Sequence, residues 1–225
     1  AGGQANKQIS DVEDLLAQDI DALLITPASP SALAPIVKRA HDKGIPVIVF
    51  STDVKTDQYT TRILADDHHF GQVGGQFLAD ALDGEGKIIG LRGIAGLSAE
   101  QARWDGAMSV IDQHDGMEMV DSVYADWAYD KARQGCESLA LAHPDIDGVW
   151  SSGGAMTRAC IEVFQELGRD LVPMTGEAQN GFLRVWKEND LQSIAPIYPT
   201  WIAAEAVVAG VRALEGMPLK SDYMI

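Results

Sequence analysis

One arginine, three carboxylates and a tryptophan follow apolar runs of the chain. They are Arg103, Asp53, Asp66, Glu177 and Trp127. Arginine and carboxylate groups make two-point hydrogen bonds with vicinal hydroxyls, and an aromatic ring covers an apolar C–H face. A carbohydrate offers both features on one small molecule. Each residue alone could be a solvated helix residue, core filler or a loop charge, but together they predict a site for a sugar or polyol.

Signals for catalysis are missing from the sequence. The chain contains no GxGxxG, Walker-type GxxxxGK, GxSxG or HExxH motif. The adjacent His68 and His69 point apart on a strand or a helix, which favours a helix start over a metal site. Asp66 and Asp67 are interpreted as a ligand-binding aspartate beside a helix-capping one, since no nucleophile or electrophile accompanies them. We therefore expect a protein that is not an enzyme and has no cofactor or metal.

Apolar runs alternate with helical segments along the whole chain. Helical spacing is clear around Val12, Leu33 and Phe77, and Gly71, Gly74 and Gly75 fall inside the last of these segments, where packing explains them better than phosphate binding. The alternation predicts an α/β fold with parallel sheets and helices on both faces. Ligands of such sheets bind at the carboxyl ends of the strands. The runs that predict strands are residues 22–26, 45–50, 61–65, 87–91, 117–124, 148–151, 172–176 and 192–197.

Charge and hydropathy exclude several classes of partner. The 225 residues carry 17 basic and 33 acidic side chains, a net charge of −16. Such a surface repels phosphate backbones and anionic lipids, so no nucleic acid or membrane surface is expected as a partner. No apolar stretch approaches the ~20 residues of a membrane span. Cys136 and Cys160 fall in helical patterns without CxxC spacing, which favours buried free thiols over a disulfide and leaves their redox state open.

Five segments carry a resemblance that covers essentially the whole chain. The chain resembles the ribose-type periplasmic sugar-binding proteins, the type I solute-binding proteins of sugar ABC transporters. The segments are residues 18–27 (QDIDALLITP), 44–50 (GIPVIVF), 93–99 with 103–106 (GIAGLSA and RWDG), 142–149 (AHPDIDGV) and 176–183, which begins Gly-Glu and ends Gly-Phe-Leu.

The resemblance implies roles for individual residues. Arg103 matches the arginine that grips sugar hydroxyls in this family, and Asp66 falls at a hinge-side position that lines the cleft. Trp127 stands where a phenylalanine stacks on the sugar. Glu177 matches an aspartate in role, although the loop after it is one residue shorter. Tyr198, at the end of the last predicted strand, completes this part of the predicted ligand set.

Two departures from the family pattern bear on specificity. The Asp-Arg pair usual after the Ile-Pro-Val strand reads Ser51-Thr52 here, with Asp53 next, and we place Ser51 and Asp53 in the ligand set. The Asn-Asp usual after the run 148–151 reads Gly153-Gly154. These replacements argue against an ordinary ribose or galactose specificity.

The resemblance also implies the architecture and the partners. We expect two doubly wound lobes joined by a hinge, an N-terminal lobe of residues 1–66 with 198–225 and a C-terminal lobe of 67–197, which close on the ligand. The N-terminal lobe lacks the first strand of family members, so the chain is interpreted as a fragment, without its signal peptide and short at both ends. The expected protein is a periplasmic monomer that binds a sugar or polyol and delivers it to a membrane permease. The alternative is the effector-binding domain of a lactose-repressor-type transcription regulator.

Overall fold

The chain divides into two compact units in a computed structural model that describes residues 2–225. The first unit comprises the residues up to Asp66, the short segment Gly96–Ala99 and the final segment Pro199–Ile225. The second unit comprises Asp67–Ala95 and Glu100–Tyr198. Each unit has its own sheet.

The first unit is built on a four-stranded parallel sheet in the order β1-β2-β3-β9. Its strands are β1 (Leu23–Ile25), β2 (Val47–Phe50), β3 (Thr61–Leu64) and β9 (Asp222–Met224). Its helices are α1 (Ala5–Leu16), α2 (Ala34–Asp42) and α8 (Ile202–Leu214). The apolar runs at 22–26, 45–50 and 61–65 form strands as predicted, whereas β9 was not predicted.

Strand β2 lies inside this sheet and is covered on both faces. Val47 and Val49 pack with residues of α1 and α2, while α8 packs against the strands β1, β2 and β3. Both faces of β2 therefore need apolar side chains, which is why its sequence is continuously apolar rather than alternating. Within residues 2–225, strand β1 pairs only with β2 and forms one edge of the sheet.

The second unit is built on a five-stranded parallel sheet in the order β5-β4-β6-β7-β8. Its strands are β4 (Glu85–Arg92), β5 (Gly116–Tyr124), β6 (Gly148–Ser151), β7 (Met174–Thr175) and β8 (Ser193–Ile194). Its helices are α3 (Asp67–Ala81), α4 (Ser98–Ile111), α5 (Tyr129–Ala142), α6 (Gly154–Glu166) and α7 (Asn180–Asn189). The predicted α/β class with parallel sheets is confirmed.

Two hydrophobic clusters cover the two faces of the second sheet. Ile88 packs with Trp150 and with residues of α3 and α4. Ile89, the next residue of β4, packs with residues of α5, α6 and α7. The alternation follows from the strand geometry, which points successive side chains to opposite faces.

Glycines set the distance between α3 and α4. A Cβ atom on Gly71 would lie 1.9 Å from the carbonyl oxygen of Arg103, and one on Gly106 would lie 2.0 Å from the carbonyl oxygen of His68. Real Cβ atoms do not approach so closely, so the two backbones touch only because both positions are glycine. The interpretation of the α3 glycines as packing residues is confirmed. The crossing brings Asp67, the first residue of α3, close to Arg103.

The two cysteines form a disulfide, which corrects the expectation of free thiols. Cys136 of α5 and Cys160 of α6 are fully buried and bonded to each other, with 5.4 Å between their Cα atoms. Helices α5 and α6 pack side by side, and this places both Cα atoms within the range a disulfide spans. The sequence spacing of 24 residues carried no such signal.

The division into units differs from the predicted lobes at two places. Segment Gly96–Ala99 belongs to the first unit rather than the second. The reason is local, because the Asp53 N–H donates a hydrogen bond to Ser98 Oγ at 2.7 Å. Tyr198 belongs to the second unit, where its ring lies near Arg103. None of the helices within residues 2–225 is long and apolar enough to cross a membrane.

Candidate functional site

Arg103 of α4 is the centre of a polar cluster in the second unit. Only 3% of the residue is exposed. Its Nε donates to Asp67 Oδ1 at 2.7 Å. Its Nη1 donates to Glu177 Oε2 at 2.8 Å and to the Ser152 carbonyl oxygen at 2.7 Å. Hydrogen bonds between charged groups are the strongest that side chains make, so the guanidinium is fixed in one orientation.

The fold explains why these groups meet. Ser152 follows β6 and Glu177 follows β7, and these two strands are neighbours in the sheet. The carboxyl ends of parallel strands lie at the same edge, where ligands of such sheets bind. Asp67 reaches the same point because α3 and α4 cross at Gly71 and Gly106.

Three aromatic rings surround the same guanidinium. Its central carbon Cζ lies 3.9 Å from the ring centre of Phe70, 4.9 Å from that of Tyr198 and 5.7 Å from that of Trp127. A cation within about 6 Å of an aromatic ring centre is attracted by the ring. Phe70 and Tyr198 therefore support the orientation that the two carboxylates impose on Arg103.

Trp127 is half-buried and held by its own hydrogen bonds. Its indole Nε1 donates to the Ser152 carbonyl oxygen at 3.2 Å and to Ser152 Oγ at 3.1 Å. Its backbone is left-handed, with a φ of 53°, which is costly for a bulky side chain. The ring also packs against the hydrophobic cluster of α5, α6 and α7. Trp127 is thus partly a core residue and partly a wall of the polar cluster.

The two ion pairs of the cluster are buried. Two carboxylates, Asp67 and Glu177, face one guanidinium, and the side-chain exposures are 8%, 15% and 4% for Asp67, Glu177 and Arg103. A charge that loses its partner in such a dry environment is strongly unfavourable. The cluster therefore depends on Arg103 for its stability as well as for any contact with a ligand.

The three remaining predicted ligand residues belong to the first unit. Ser51 follows β2 with a left-handed φ of 66°. Asp66 follows β3 and is exposed. Asp53 is held by an ion pair, in which Arg62 Nη1 donates to Asp53 Oδ1 at 2.7 Å. The Asp53 carboxylate is therefore already engaged by Arg62 of β3.

Sequence reasoning missed three members of the cluster or gave them another role. The sequence pattern predicts Asp67 as a helix cap and marks neither Phe70 nor Ser152 as a site residue. Asp67 and Phe70 are three residues apart on α3, so they share one face, and this spacing could have revealed them as a pair. Ser152 contributes its carbonyl oxygen, which no side-chain pattern reveals. Across residues 2–225, no three or more His, Cys, Asp and Glu side chains form a group that could hold a metal ion.

The fold and the cluster agree with one protein family. Residues 1–218 match the family described as the periplasmic binding protein domain, and the chain belongs to this family. The ribose import binding protein RbsB of Bacillus subtilis is 30% identical over 216 residues, which are 96% of this chain and 70% of that protein. The xylitol-binding protein of Mycolicibacterium smegmatis is 29% identical over 177 residues, 78% of this chain and 51% of that protein.

Solved structures give the same result. The fructose-binding periplasmic domain of a hybrid two-component system has a TM-score of 0.90 and 27% identity, covering 99% of this chain and 75% of that one. A solute-binding protein of an ABC transporter from Bacillus halodurans C-125, with bound myo-inositol, has a TM-score of 0.90 and 25% identity, covering 99% and 78%. The resemblance to the ribose-type sugar-binding proteins is confirmed.

Proposed function

We propose that the chain is the sugar-binding receptor of an ABC-type uptake system and binds a small carbohydrate or polyol without changing it. The observation that carries the proposal is the Arg103 guanidinium, held between Asp67 and Glu177 and flanked by the Trp127 ring. This arrangement offers fixed donors and acceptors on one side and carbon surface on the other. A sugar has the matching distribution of hydroxyls and C–H groups.

The hydrogen-bond inventory of Arg103 supports a role in binding. Its bonds within the protein use Nε and Nη1. An arginine has five N–H donors, so Nη2 carries two more for the hydroxyls of a ligand. The free lone pairs of Glu177 accept from hydroxyls in the same way. The ligand would meet groups that are already ordered, which reduces the entropy cost of binding.

The relatives support a small polyhydroxylated ligand. Their names or bound ligands are ribose, xylitol, fructose and myo-inositol. The ribose import binding protein supports the uptake receptor over the regulator alternative, and with it a periplasmic location and a membrane permease as partner. The disulfide between Cys136 and Cys160 is in keeping with an oxidising compartment. A monomer with two lobes, residues 1–66 with 198–225 and 67–197, that closes on its ligand remains a prediction.

A second candidate function shares the site but differs in its partner. The fructose-binding neighbour is the periplasmic domain of a hybrid two-component system, so a sugar sensor is the alternative that the comparison favours. A receptor for uptake would stimulate the ATPase of its reconstituted transporter when sugar is present. A sensor would leave that ATPase unchanged and alter the activity of a kinase instead.

A ligand screen tests the proposal. Thermal unfolding is followed with D-ribose, xylitol, D-fructose, myo-inositol and a wider panel of sugars and polyols. A ligand present at about 100 times its dissociation constant adds about 2.7 kcal/mol of stability. Calorimetry then gives the affinity of each hit, with Arg103→Lys as the variant that keeps the charge and loses the planar fork. A panel without any stabilising compound would overturn the proposal.

A further inference from the structure

We propose that Gly93 and Gly153 are specificity-determining residues of this site, because they make the space in which the Trp127 indole forms a wall of pure carbon surface. The proposal rests on the proposed function for its ligand and on packing geometry for its mechanism. The wall selects a ligand that directs C–H groups, and no hydroxyl, towards Trp127.

The geometry leaves no room for a side chain at either glycine. A Cβ atom on Gly93 would lie 2.4 Å from both Cε2 and Cζ2 of Trp127, and one on Gly153 would lie 2.8 Å from its Cδ1. Carbon atoms pack at about 3.5–4.0 Å. The backbone of Gly153 is extended, with a φ of −163°, so conformational freedom does not explain this glycine. Space for the indole does.

The indole cannot move aside easily. Its Nε1 is bound to Ser152, and the preceding backbone is tied to the end of β4, where the Asp126 N–H donates to the Gly93 carbonyl oxygen at 3.3 Å. Asp126 and Trp127 are both left-handed, with φ of 54° and 53°. Gly93 therefore fixes the backbone that leads into Trp127 and leaves room for its ring at the same time.

The hydrogen bonds decide what a ligand meets at this wall. Tryptophan has a single polar hydrogen, and here it is donated to Ser152. Gly153 has no side chain that could donate a hydrogen bond to the ligand in place of the indole N–H. A hydroxyl pressed against the indole would lose its water without gaining a partner, which is unfavourable. Arg103, with Cζ 5.7 Å from the ring centre, reads hydroxyls from its own side.

The same geometry prevents a polar side chain at position 153 and an indole at position 127 from occurring together. A polar side chain at position 153 could hydrogen-bond a ligand hydroxyl, but it would occupy the place of the indole ring. An indole at 127 therefore packs best with glycine at 153, and a polar side chain at 153 fits only where the indole is replaced.

The first test is independent of ligand. Gly153→Ala is made in the wild type and in Trp127→Ala, with Gly181→Ala of α7 as the control, since a Cβ there meets only the flexible Arg158 side chain at 3.2 Å. In the wild type we expect Gly153→Ala to lower the melting temperature by about 4 °C or more. In Trp127→Ala the same change should lower it clearly less, because the Cβ no longer meets the indole and only the preference of the α6 N-cap for glycine over alanine remains. Equal shifts in both backgrounds would overturn the proposal, whatever the ligand screen gives.

The second test reads selectivity. D-galactose is compared with D-fucose, its 6-deoxy form, and D-ribose with its 2-deoxy and 5-deoxy forms, alongside the monodeoxy forms of any other hit. We expect at least one monodeoxy compound to bind within about threefold of its parent, and Gly153→Ala to weaken that binding about tenfold. If each monodeoxy compound binds more than tenfold more weakly than its parent, a hydroxyl is bound at the Trp127 wall and the proposal is wrong. Absence of any binding would instead overturn the proposed function, and the stability comparison alone would then decide the role of the glycines.

Discussion

Arg103 and Trp127 donate hydrogen bonds to the same atom, the carbonyl oxygen of Ser152. The distances are 2.7 Å from Arg103 Nη1 and 3.2 Å from Trp127 Nε1. The shared acceptor fixes the Arg103 guanidinium relative to the Trp127 ring. A substitution at either residue should therefore disturb the other, and their effects on binding should not add.

Arg103→Ala should reduce both stability and affinity. The structure buries Arg103 between Asp67 and Glu177. Loss of the guanidinium removes both buried ion pairs, which should lower the free energy of unfolding by about 3–5 kcal/mol. Ligand binding should weaken by about 2–4 kcal/mol through the lost charge-assisted hydrogen bonds.

Chemical denaturation without ligand and calorimetry with ligand measure these two effects. Arg133→Ala serves as the control, because Arg133 pairs with Glu166 on the surface, where water screens the pair and its loss should change stability little. Unchanged affinity in a folded Arg103→Ala protein would remove Arg103 from the site.

Trp127 should respond to ligand and tolerate a smaller ring. Addition of a sugar should change the tryptophan fluorescence, and Trp127→Phe should impair binding less than Trp127→Ala, because either ring covers C–H groups. The comparison of the fluorescence change in the wild type and in Trp127→Phe isolates this residue from the other four tryptophans. If Trp127→Ala unfolds the protein without ligand, Trp127 is chiefly a core residue.

Removal of the disulfide should destabilise the second unit. Cys136 and Cys160 close a loop with a sequence separation of 24, and a cross-link of that size contributes about 3 kcal/mol through the unfolded chain. The variant Cys136→Ala/Cys160→Ala should unfold at correspondingly lower denaturant, and reductant should shift the wild type but not the variant. Titration of thiols in the denatured, unreduced protein should find none. Two free thiols would contradict the bond.

Tyr59 should titrate well above the ordinary range of a tyrosine side chain. Burial, together with the hydrogen bond that its hydroxyl donates to Asp222 Oδ1 at 2.9 Å, raises the pKa of Tyr59 to about 12. An unfolded tyrosine has a pKa of about 10. The stabilisation is therefore complete below about pH 10 and is lost as the pH rises through about 12. Because Asp222 lies on β9, alkaline pH should loosen this strand.

Phenolate absorbance of the wild type minus that of Tyr59→Phe measures the titration. The variant keeps a ring near the Arg62 guanidinium, whose Cζ lies 5.4 Å from the Tyr59 ring centre, and loses only the ionisable hydroxyl. A difference signal that titrates near pH 10 would show that the Tyr59 hydroxyl is not bound to Asp222.

Acid should weaken the same strand for a different reason. Hydrogen bonds from Ser221, Tyr59 and Arg62 lower the pKa of Asp222. A carboxylate with a lowered pKa stabilises the fold above its unfolded value of about 3.9 and loses that contribution as the pH falls through the folded value. Asp222→Asn should remove this part of the acid sensitivity and leave the rest.

The hydrophobic periodicity of the sequence predicts the fold but does not predict where every strand begins and ends. The eight apolar runs all contain strands, because a strand inside a sheet covered by helices needs apolar side chains on both faces, as β2 shows. No apolar pattern predicts strand β9, because Asp222 and Met224 are exposed. The predicted run 172–176 shortens to β7, Met174–Thr175, since pairing in the sheet and not hydrophobicity decides where a strand ends.

The site was predictable as far as strand ends determine it. Arg103, Trp127, Glu177 and Tyr198 do come together, because the strands before them share one sheet. Asp53 pairs with Arg62, and that pairing depends on the register in which Val49 of β2 faces Arg62 of β3. Strand register and helix packing are properties of the folded chain that local sequence does not encode. The packing of α5 against α6 is also what brings the two cysteines together.

Hydrogen exchange should separate the edge of the first sheet from its interior. Among the strands of the described residues, β1 pairs only with β2. Its Leu23 N–H donates to the Pro46 carbonyl oxygen at 2.9 Å. Successive residues of a strand direct their N–H groups to opposite sides, so the N–H of Leu24 points to the outer edge.

We therefore expect the Leu24 amide to exchange much faster than the Ile48 amide of β2, which lies between two strands of the same sheet. Ile48 is the matched control, because opening of the whole unit would expose both amides equally. Ile88 and Ile89 of β4, which pairs with β5 and β6, should be slow as well. An apolar edge of this kind also favours strand-to-strand association, so exchange is measured at low protein concentration. Equal protection of Leu24 and Ile48 in a monomer would mean that the edge of β1 is covered and that the sheet does not end there.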